Sequence, residues 1–457
     1  MHLGDTIAAL ATPPGEGGVA IVRLSGPRAQ EIVEALFRPR GQAPAWESHR
    51  LYYGELGRPG EPAVDEVLAV VMRAPRSYTR ETVAEIHCHG GLLVAGEILE
   101  MCLEQGARLA SPGEFTLRAF LNGRLDLAQS EAVLALVRAR TRAGLRLAAA
   151  GLAGRFSRQV AELREALLDW MAELEAAIDF AEEVPDPPAQ ENRRRVEQHL
   201  ARVEELLAGA EEGRLVSEGL YTVLAGPPNA GKSTLLNALL GEERALVTPE
   251  PGTTRDWLEE SLVVEGLVLR LVDTAGLRPH GDVVEQMGMA RARAAAGRAE
   301  VAVVVLDVSA DWPEAAQELA ELCRAVPAVV VLNKKDLGVR LGVDEVAARF
   351  PGAEVVLVSL LEPEGVARVR QALVRRARQV AGARAGECYT LTRRQREALY
   401  RCRESLQAVR DSVTAGLPAE FLSGDLRLAV QALGEITGQD VTEDLLDRIF
   451  SSFCLGK

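Results

Sequence analysis

The sequence predicts a multidomain protein of mixed α+β and α/β class, with an N-terminal α+β domain, an α-helical domain, and a doubly wound domain inserted into the helical one. Three observations predict this. Residues 1–120 alternate short apolar runs with turn residues. Residues 121–213 and 380–457 carry long Ala/Leu/Arg/Glu-rich stretches with apolar side chains at three- and four-residue steps. Between them, residues 214–379 change to short, nearly continuous apolar runs separated by helical segments. That texture marks a parallel sheet covered on both faces.

In the first domain "GGVAIVRL", "HRLYYGEL" and "DEVLAVVM" read as strands, and "GLLVAGEILEMCLEQG" reads as a helix with a glycine stop. "SEAVLALVRARTRAGLRLAAAGL" and "QVAELREALLDWMAELEAAI" read as amphipathic helices of a bundle. "EEVPDPPAQE" interrupts them, because proline cannot continue a helix. The inserted domain offers five strands, "YTVLAG", "LVLRLVDTAG", "VAVVVLDVS", "AVVVLNKKD" and "EVVLVSL". After Gly386 the helices return in "LTRRQREALYRCRESL", "DLRLAVQALGEITGQD" and "TEDLLDRIFSSF". Insertion is tolerated where the inserted domain's termini lie close together.

The chain of 457 residues is long enough for several cores, and its 47 % apolar content excludes a disordered protein. Acids outnumber bases 66 to 52, a net charge of −14. That balance argues against a uniformly basic nucleic-acid clamp but leaves room for local basic patches. The six cysteines, Cys88, Cys102, Cys323, Cys388, Cys402 and Cys454, form no CxxC pair and no regular ladder. Neither a disulfide framework nor a zinc knuckle is indicated. The opening "MHLGDTIAAL" lacks the basic and long apolar regions of a signal peptide, and no apolar run reaches the roughly 20 residues needed to span a bilayer. A soluble protein of the reducing cytoplasm is expected.

"GPPNAGKS", Gly226 to Ser233, follows a strand and opens a helix. It matches G-x-x-x-x-G-K-[ST], whose glycines let backbone N–H groups face phosphate oxygens at a helix N-terminus. Asn229, Ala230, Gly231, Lys232, Ser233 and Thr234 are therefore nucleotide-binding candidates. Lys232 suits the β- and γ-phosphates and the Ser233 hydroxyl suits Mg²⁺. "DTAG", Asp273, Thr274, Ala275 and Gly276, follows a second strand. Its acid can hold magnesium and its glycine amide can sense the γ-phosphate. "NKKD" supplies Asn333, Lys334 and Asp336. The Asp336 carboxylate suits the N1–H and N2–H₂ donors of guanine, which adenine lacks, so GTP is favoured. Three motifs in this order predict a P-loop GTPase (Ras-like) domain.

"TPEPGTTRD", Thr248 to Asp256, occupies the place of the first switch loop, with Thr254 as the magnesium-sensing threonine. Leu277 after Gly276 cannot orient the attacking water as a glutamine would. Asp282 and Glu285 in "GDVVEQMG" are the nearest acids downstream.

With these residues assembled, the whole chain resembles the MnmE (TrmE) family of tRNA-modification GTPases. The resemblance is carried by "DTIAALATPPGEGGVAIVRLSG", "RSYTRETVAEIHCHGG", "SPGEFTLRAFLNGRLDLAQSEAV" and the closing Cys-x-Gly-Lys, beside the nucleotide motifs. It implies a folate-binding N-terminal domain that also forms the homodimer, a helical domain and the inserted G domain. It further implies a flavoprotein partner, MnmG (GidA), and tRNA as substrate. The two proteins together would place an aminomethyl or carboxymethylaminomethyl group on C5 of the wobble uridine, with the carbon coming from a 5-formyl or 5,10-methylene tetrahydrofolate.

By the same resemblance Asn229, Thr248, Thr253 and the backbone carbonyl of Glu250 would hold K⁺, supplying the charge other GTPases take from an arginine. Glu285 falls on the family's water-positioning glutamate. Arg23, Glu81, Arg124 and Lys457 fall on its folate pocket. Arg124 stands where some relatives have lysine. Arg80 precedes Glu81 where relatives often have glycine, and by the resemblance Ser359 opens the guanine-edge loop, where "SLL" replaces the usual Ser-Ala.

The tail "FCLGK" is not a prenylation box, since Gly456 is not aliphatic and Lys457 is not a usual last residue. A tail returning to the folate domain would put Lys457 at the pterin or its tail and Cys454 beside the one-carbon unit. Uracil C5 becomes nucleophilic only after addition at C6, which a thiolate performs well. A covalent role, an indirect active-site role and an inert tail all stay open for Cys454.

His87 and His89 share a strand face, but two imidazoles without a third ligand make a weak metal site, so a structural role is expected. Arginine clusters at 138–146, 193–195, 375–378 and 393–396 could meet tRNA phosphates or form solvated helix faces. Two rival readings remain: a ribosome-assembly or translation GTPase switch without modification chemistry, and a one-carbon transferase with a regulatory G domain.

Overall fold

The computed structural model describes residues 4–41, 45–180, 182–183, 185, 187–241, 259–264, 267–273, 299–381, 387–454 and 456. The chain forms two compact units: Met1–Leu134, Gly151–Leu200 and Glu397–Lys457 make the first, and Ala135–Ala150 with Ala201–Arg396 the second.

The first unit holds a seven-stranded sheet. Its strands are β1 (Ile7–Leu10), β2 (Gly17–Ser25), β3 (Phe37–Pro39), β4 (Leu51–Leu56), β5 (Asp65–Met72), β6 (Val83–Gly90) and β7 (Arg108–Leu109), in the order β3-β4-β5-β6-β2-β1-β7. All neighbours are antiparallel except β1 and β7. Alternation along β2 and β6 separates the faces. Val22, Leu24, Ala84 and Ile86 enter one core with α1 (Ala29–Leu36) and α2 (Leu92–Glu104), where Ile32, Ile98 and Met101 are fully buried. Ile7 and Ala9 face the other way and meet Phe115 of α3 (Glu114–Leu121).

The long stretch read as one helical run divides into α4 (Leu127–Arg138) and α5 (Arg142–Leu152). α6 (Arg155–Asp179) is followed by the proline-rich break and α7 (Ala189–Ser217). Trp170 of α6 is 1 % exposed. Its indole N–H donates to Asn192 Oδ1 at 3.1 Å, which satisfies the one polar group of this large apolar side chain.

The second unit holds β8 (Leu220–Ala225), α8 (Lys232–Gly241), β9 (Glu259–Val264), β10 (Leu267–Asp273), β11 (Val301–Asp307), α9 (Ala316–Ala325), β12 (Ala328–Asn333), α10 (Val343–Arg349), β13 (Glu354–Leu357) and α11 (Pro363–Ala381). The sheet order is β13-β12-β11-β8-β10-β9, parallel except for β9. Alternate residues of β11 explain its unbroken apolar run. Val301, Val303 and Val305 join the core on one face, and Ala302, Val304 and Leu306 join the core on the other. The remaining helices are α12 (Arg393–Thr414), α13 (Ala419–Thr437) and α14 (Glu443–Phe450); α13 packs along α6 and α14 against α3. No helix among the described residues is long and apolar enough to cross a membrane.

Candidate functional site

Two clusters gather the residues singled out by sequence. The first stands at the carboxyl ends of the parallel strands, the usual place for a ligand in a doubly wound sheet. β8 ends at Ala225 and the loop 226–231 turns into α8, whose first residue is Lys232. The turn needs its glycines. Gly226 has φ 143° and Gly231 φ 108°, and a Cβ would strike the Val305 carbonyl oxygen from the first and the Asn333 side-chain amide from the second. Asn229 is also left-handed, at φ 58°. The Lys232 ammonium donates to the carbonyls of Gly226 at 2.9 Å and Pro227 at 2.8 Å, folded back across the loop. Asn229, Ser233 and Thr234 are exposed around the helix N-terminus, whereas Ala230 is fully buried.

Asn333 ties this loop to the end of β12 and to the segment after β13. Its side-chain N–H donates to the Ala230 carbonyl at 2.9 Å, and its Oδ1 accepts from the Leu360 amide at 3.0 Å. Lys334 is left-handed at φ 67°, and its ammonium bonds Asp307 Oδ2 at 2.7 Å. Burial pushes the Asp307 carboxyl up, but bonds from Lys334 and Ser309 hold it below the usual carboxylate range. Asp336 is exposed in the 3-10 turn Lys335–Leu337, and Ser359 is 1 % exposed. Asp273 ends β10, and its backbone lies opposite Leu224 of β8, beside the start of the phosphate loop.

The second cluster lies in the first unit on the Phe115 face of the sheet. Arg23 on β2 stands between Ala9 of β1 and Glu85 of β6. Its Nε donates to Glu85 Oε1 at 2.8 Å, and its Nη1 donates to the Gly456 carbonyl at 3.4 Å. The C-terminal tail thus returns to the N-terminal sheet. Gly113 N–H also reaches the Cys454 carbonyl, at 3.5 Å, and the Cys454 residue is exposed. Arg23 and Arg124 share one aromatic ring, their guanidinium carbons lying 5.8 and 4.7 Å from the centroid of Tyr78. Glu81 accepts from the Ser25 hydroxyl at 2.7 Å and from Arg118 at 3.2 Å.

Two family models match the chain: the GTP-binding protein TrmE N-terminus over residues 6–124 and the MnmE helical domain over residues 127–454. The chain belongs to the MnmE family. A tRNA modification GTPase MnmE of Synechococcus sp. (strain JA-2-3B'a(2-13)) is 45 % identical over 460 residues, covering 100 % of this chain and 99 % of that one. The protein of that name from Alkaliphilus oremlandii (strain OhILAs) is 42 % identical over 462 residues, covering 100 % of both. Among solved structures, the G domain of the T. maritima FeoB iron transporter is 26 % identical over 35 % of this chain and 99 % of its own, with a TM-score of 0.27.

Within this MnmE chain several expected residues, Thr248, Glu250, Thr253, Thr254, Thr274, Ala275, Gly276, Asp282, Glu285 and Lys457, lie outside the described residues. Residues the sequence reading passed over are Glu85, Tyr78, Asp307 and Arg118. Arg118 is 1 % exposed and ion-paired with Asp5 at 2.6 Å, Glu114 at 3.0 Å and Glu81 at 3.2 Å. A buried arginine is costly unless its charge is met on several sides, so these carboxylates account for its place. A cavity of about 390 Å³ lies between α3 and α14, lined by Arg108, Glu114, Leu117, Arg118, Asp447 and Phe450 among others; none of the predicted folate residues lines it.

Arg80 explains its own oddity. It has φ 60°, a left-handed position at which glycine is unstrained, and its guanidinium reaches the Asn122 carbonyl at 3.0 Å. Both strand histidines bond carboxylates, His87 to Glu85 at 3.1 Å and His89 to Asp65 at 2.7 Å. Within the arginine clusters Arg194 and Arg195 pair with Glu191, and Arg375 pairs with Glu354.

Proposed function

We propose that this chain is a potassium-stimulated GTP hydrolase of tRNA modification. It acts as a homodimer with a flavoprotein of the MnmG (GidA) kind in the cytoplasm, adding an aminomethyl or carboxymethylaminomethyl group to C5 of the tRNA wobble uridine. The observation that carries this beyond nucleotide hydrolysis is the Arg23 bond to Gly456, which brings the tail to residues expected to bind folate. The organisation we infer is an N-terminal folate and dimerisation domain at 1–120, helical segments at 121–213 and 380–457, and the G domain at 214–379.

In this reading Lys232 exchanges the Gly226 and Pro227 carbonyls for phosphate oxygens. Asp336 accepts from guanine N1–H and N2–H₂, Asn333 holds the two loops in register, and Glu285 orients the attacking water. The exposed hydroxyl of Ser233, at the start of α8, suits Mg²⁺ together with Thr254; the exposed Asn229 suits K⁺ together with Thr248, Glu250 and Thr253. When bound, the two cations offset the negative charge that builds between the β- and γ-phosphates. Arg23, Glu81, Arg124 and Lys457 are the proposed folate ligands. The pairing of both arginines with Tyr78 supports this set, because it leaves a cationic rim suited to the glutamate carboxylates of a folate. When bound, a 5-formyl or 5,10-methylene tetrahydrofolate supplies the transferred carbon.

The test is calorimetric titration of 5-formyltetrahydrofolate into the wild type and into Arg23→Ala and Lys457-deleted proteins. Saturable binding weakened by both changes is expected. A folded wild type that hydrolyses GTP and binds no folate overturns the one-carbon chemistry and leaves the assembly-switch reading. A Cys454→Ser protein that keeps GTP hydrolysis but loses modification removes the inert-tail role.

A further inference from the structure

Glu85 has no place in the functional set named so far, yet it sits at the centre of a hydrogen-bonded line. His87 Nε2 lies 3.1 Å from Glu85 Oε2, and Glu85 Oε1 accepts from Arg23 Nε at 2.8 Å. Arg23 Nη1 continues to the Gly456 carbonyl at 3.4 Å. The line crosses three separate parts of the chain. It is made possible by register: Arg23 and Glu85 are direct partners on neighbouring antiparallel strands, and His87 follows two residues later on the same face.

We propose that Glu85 is a positioning residue, which, steadied by His87, orients the Arg23 guanidinium so that it holds the C-terminal tail and meets the folate carboxylate. The folate half of this rests on the function proposed above; the tail half does not. Three observations support it. First, Arg23 has a long side chain with several rotamers, and the bond on Nε together with the flanking rings of Tyr78 and Phe115, 5.8 and 5.9 Å from its guanidinium carbon, leaves it one direction. Second, the Glu85 side chain is 15 % exposed and the Arg23 side chain 23 %, so water competes weakly for their bond. Third, burial alone would favour the neutral acid, but the bond to His87 and the charge and bond of Arg23 hold the Glu85 carboxyl below its ordinary range. It is therefore an anion at neutral pH, which is the form that fixes a guanidinium.

The arrangement has a consequence that simple packing would not. If Glu85 acts through Arg23, its removal matters only while Arg23 is present. The experiment is a double-mutant cycle of Glu85→Gln and Arg23→Ala in the full chain, with two readouts. Hydrogen–deuterium exchange of a C-terminal peptide covering 451–457 reports the tail, and calorimetry reports 5-formyltetrahydrofolate affinity. Glu85→Gln alone should speed tail exchange and weaken folate binding about tenfold, the size expected for one charged hydrogen bond. In the Arg23→Ala background the same change should do neither. His87→Gln, altering only the buttress, should give a smaller effect in the same direction and guards against a Glu85 variant that misfolds.

Tail exchange and folate affinity both unchanged in a folded Glu85→Gln protein overturn the proposal. So do equal effects of Glu85→Gln with and without Arg23, because they assign Glu85 to general stability. If the wild type binds no folate while tail exchange follows the predicted cycle, the positioning role stands for the tail and the folate reading alone falls.

Discussion

Asn333 and Ala230 are 103 positions apart, and a 2.9 Å hydrogen bond from the Asn333 amide to the Ala230 carbonyl joins them. The same side chain accepts from the Leu360 amide at 3.0 Å, so one buried residue sets the spacing between the glycine loop 226–231 and the loops that follow β12 and β13. Asn333→Ala should leave a buried carbonyl and a buried amide unpaired, at a cost of about 1–3 kcal/mol each. The expected outcome is a lower urea midpoint and GDP binding weakened at least tenfold, read by fluorescence titration of a labelled GDP. Unchanged GDP affinity would show that the loops hold their spacing without it.

Lys232 offers a cleaner separation. Its ammonium rests on two loop carbonyls, which need no partner once the loop opens to water. Lys232→Ala should therefore spare stability, within about 1 kcal/mol, while weakening GTP binding by roughly ten- to a hundredfold, the range for a charge-assisted bond. Thermal melting and fluorescence titration of a labelled, non-hydrolysable GTP analogue measure the two effects.

Arg118 predicts the acid response of the first unit. Burial raises the Glu114 carboxyl, but the bonds from Arg108, the Ser111 amide and Arg118 bring it below its ordinary range; Asp5, raised by burial and lowered by Arg108 and Arg118, also ends below. A carboxyl lowered in the folded state contributes stability that is complete above its unfolded pKa, about 3.9 for Asp and 4.3 for Glu. That contribution fades as pH falls through the lower folded value. Urea midpoints should stay level from neutrality to about pH 5 and fall below about pH 4. Arg118→Met should cost about 3–5 kcal/mol by leaving the carboxylates facing one another, and it should flatten the acid slope. A slope unchanged in that variant would trace the acid sensitivity to other groups.

Gly456 sits at φ 84°, and a Cβ there would run into the Leu10 carbonyl. Gly456→Ala should lift the tail from the sheet without unfolding the unit. Faster exchange in 451–457 at a nearly unchanged melting temperature is the expected result, with folate affinity reduced to that of the Lys457-deleted protein. A tail that stays protected in this variant would mean the glycine is not what seats it.

Much of the architecture was legible because its signals are local. The β8–loop–α8 motif reads directly from "GPPNAGKS", and β11 and β12 read from runs whose two faces are both buried. The short edge strands β3 and β7 and the strand β1 escaped, since two to four residues carry too little periodicity to register. The division at 139–141 escaped as well, because the residues on either side keep the composition of a helix.

What the sequence alone determined is the set of groups that can meet a nucleotide: a glycine loop, a lysine and an asparagine-aspartate pair, each set by spacing within a few residues. What only the tertiary structure decided is which distant groups act together. Arg23 faces Glu85 through strand register, Arg23 and Arg124 share the Tyr78 ring, and the tail reaches the sheet through Gly456. Strand pairing and chain return bring together residues separated by 62 and 433 positions, and no local preference encodes such a pairing.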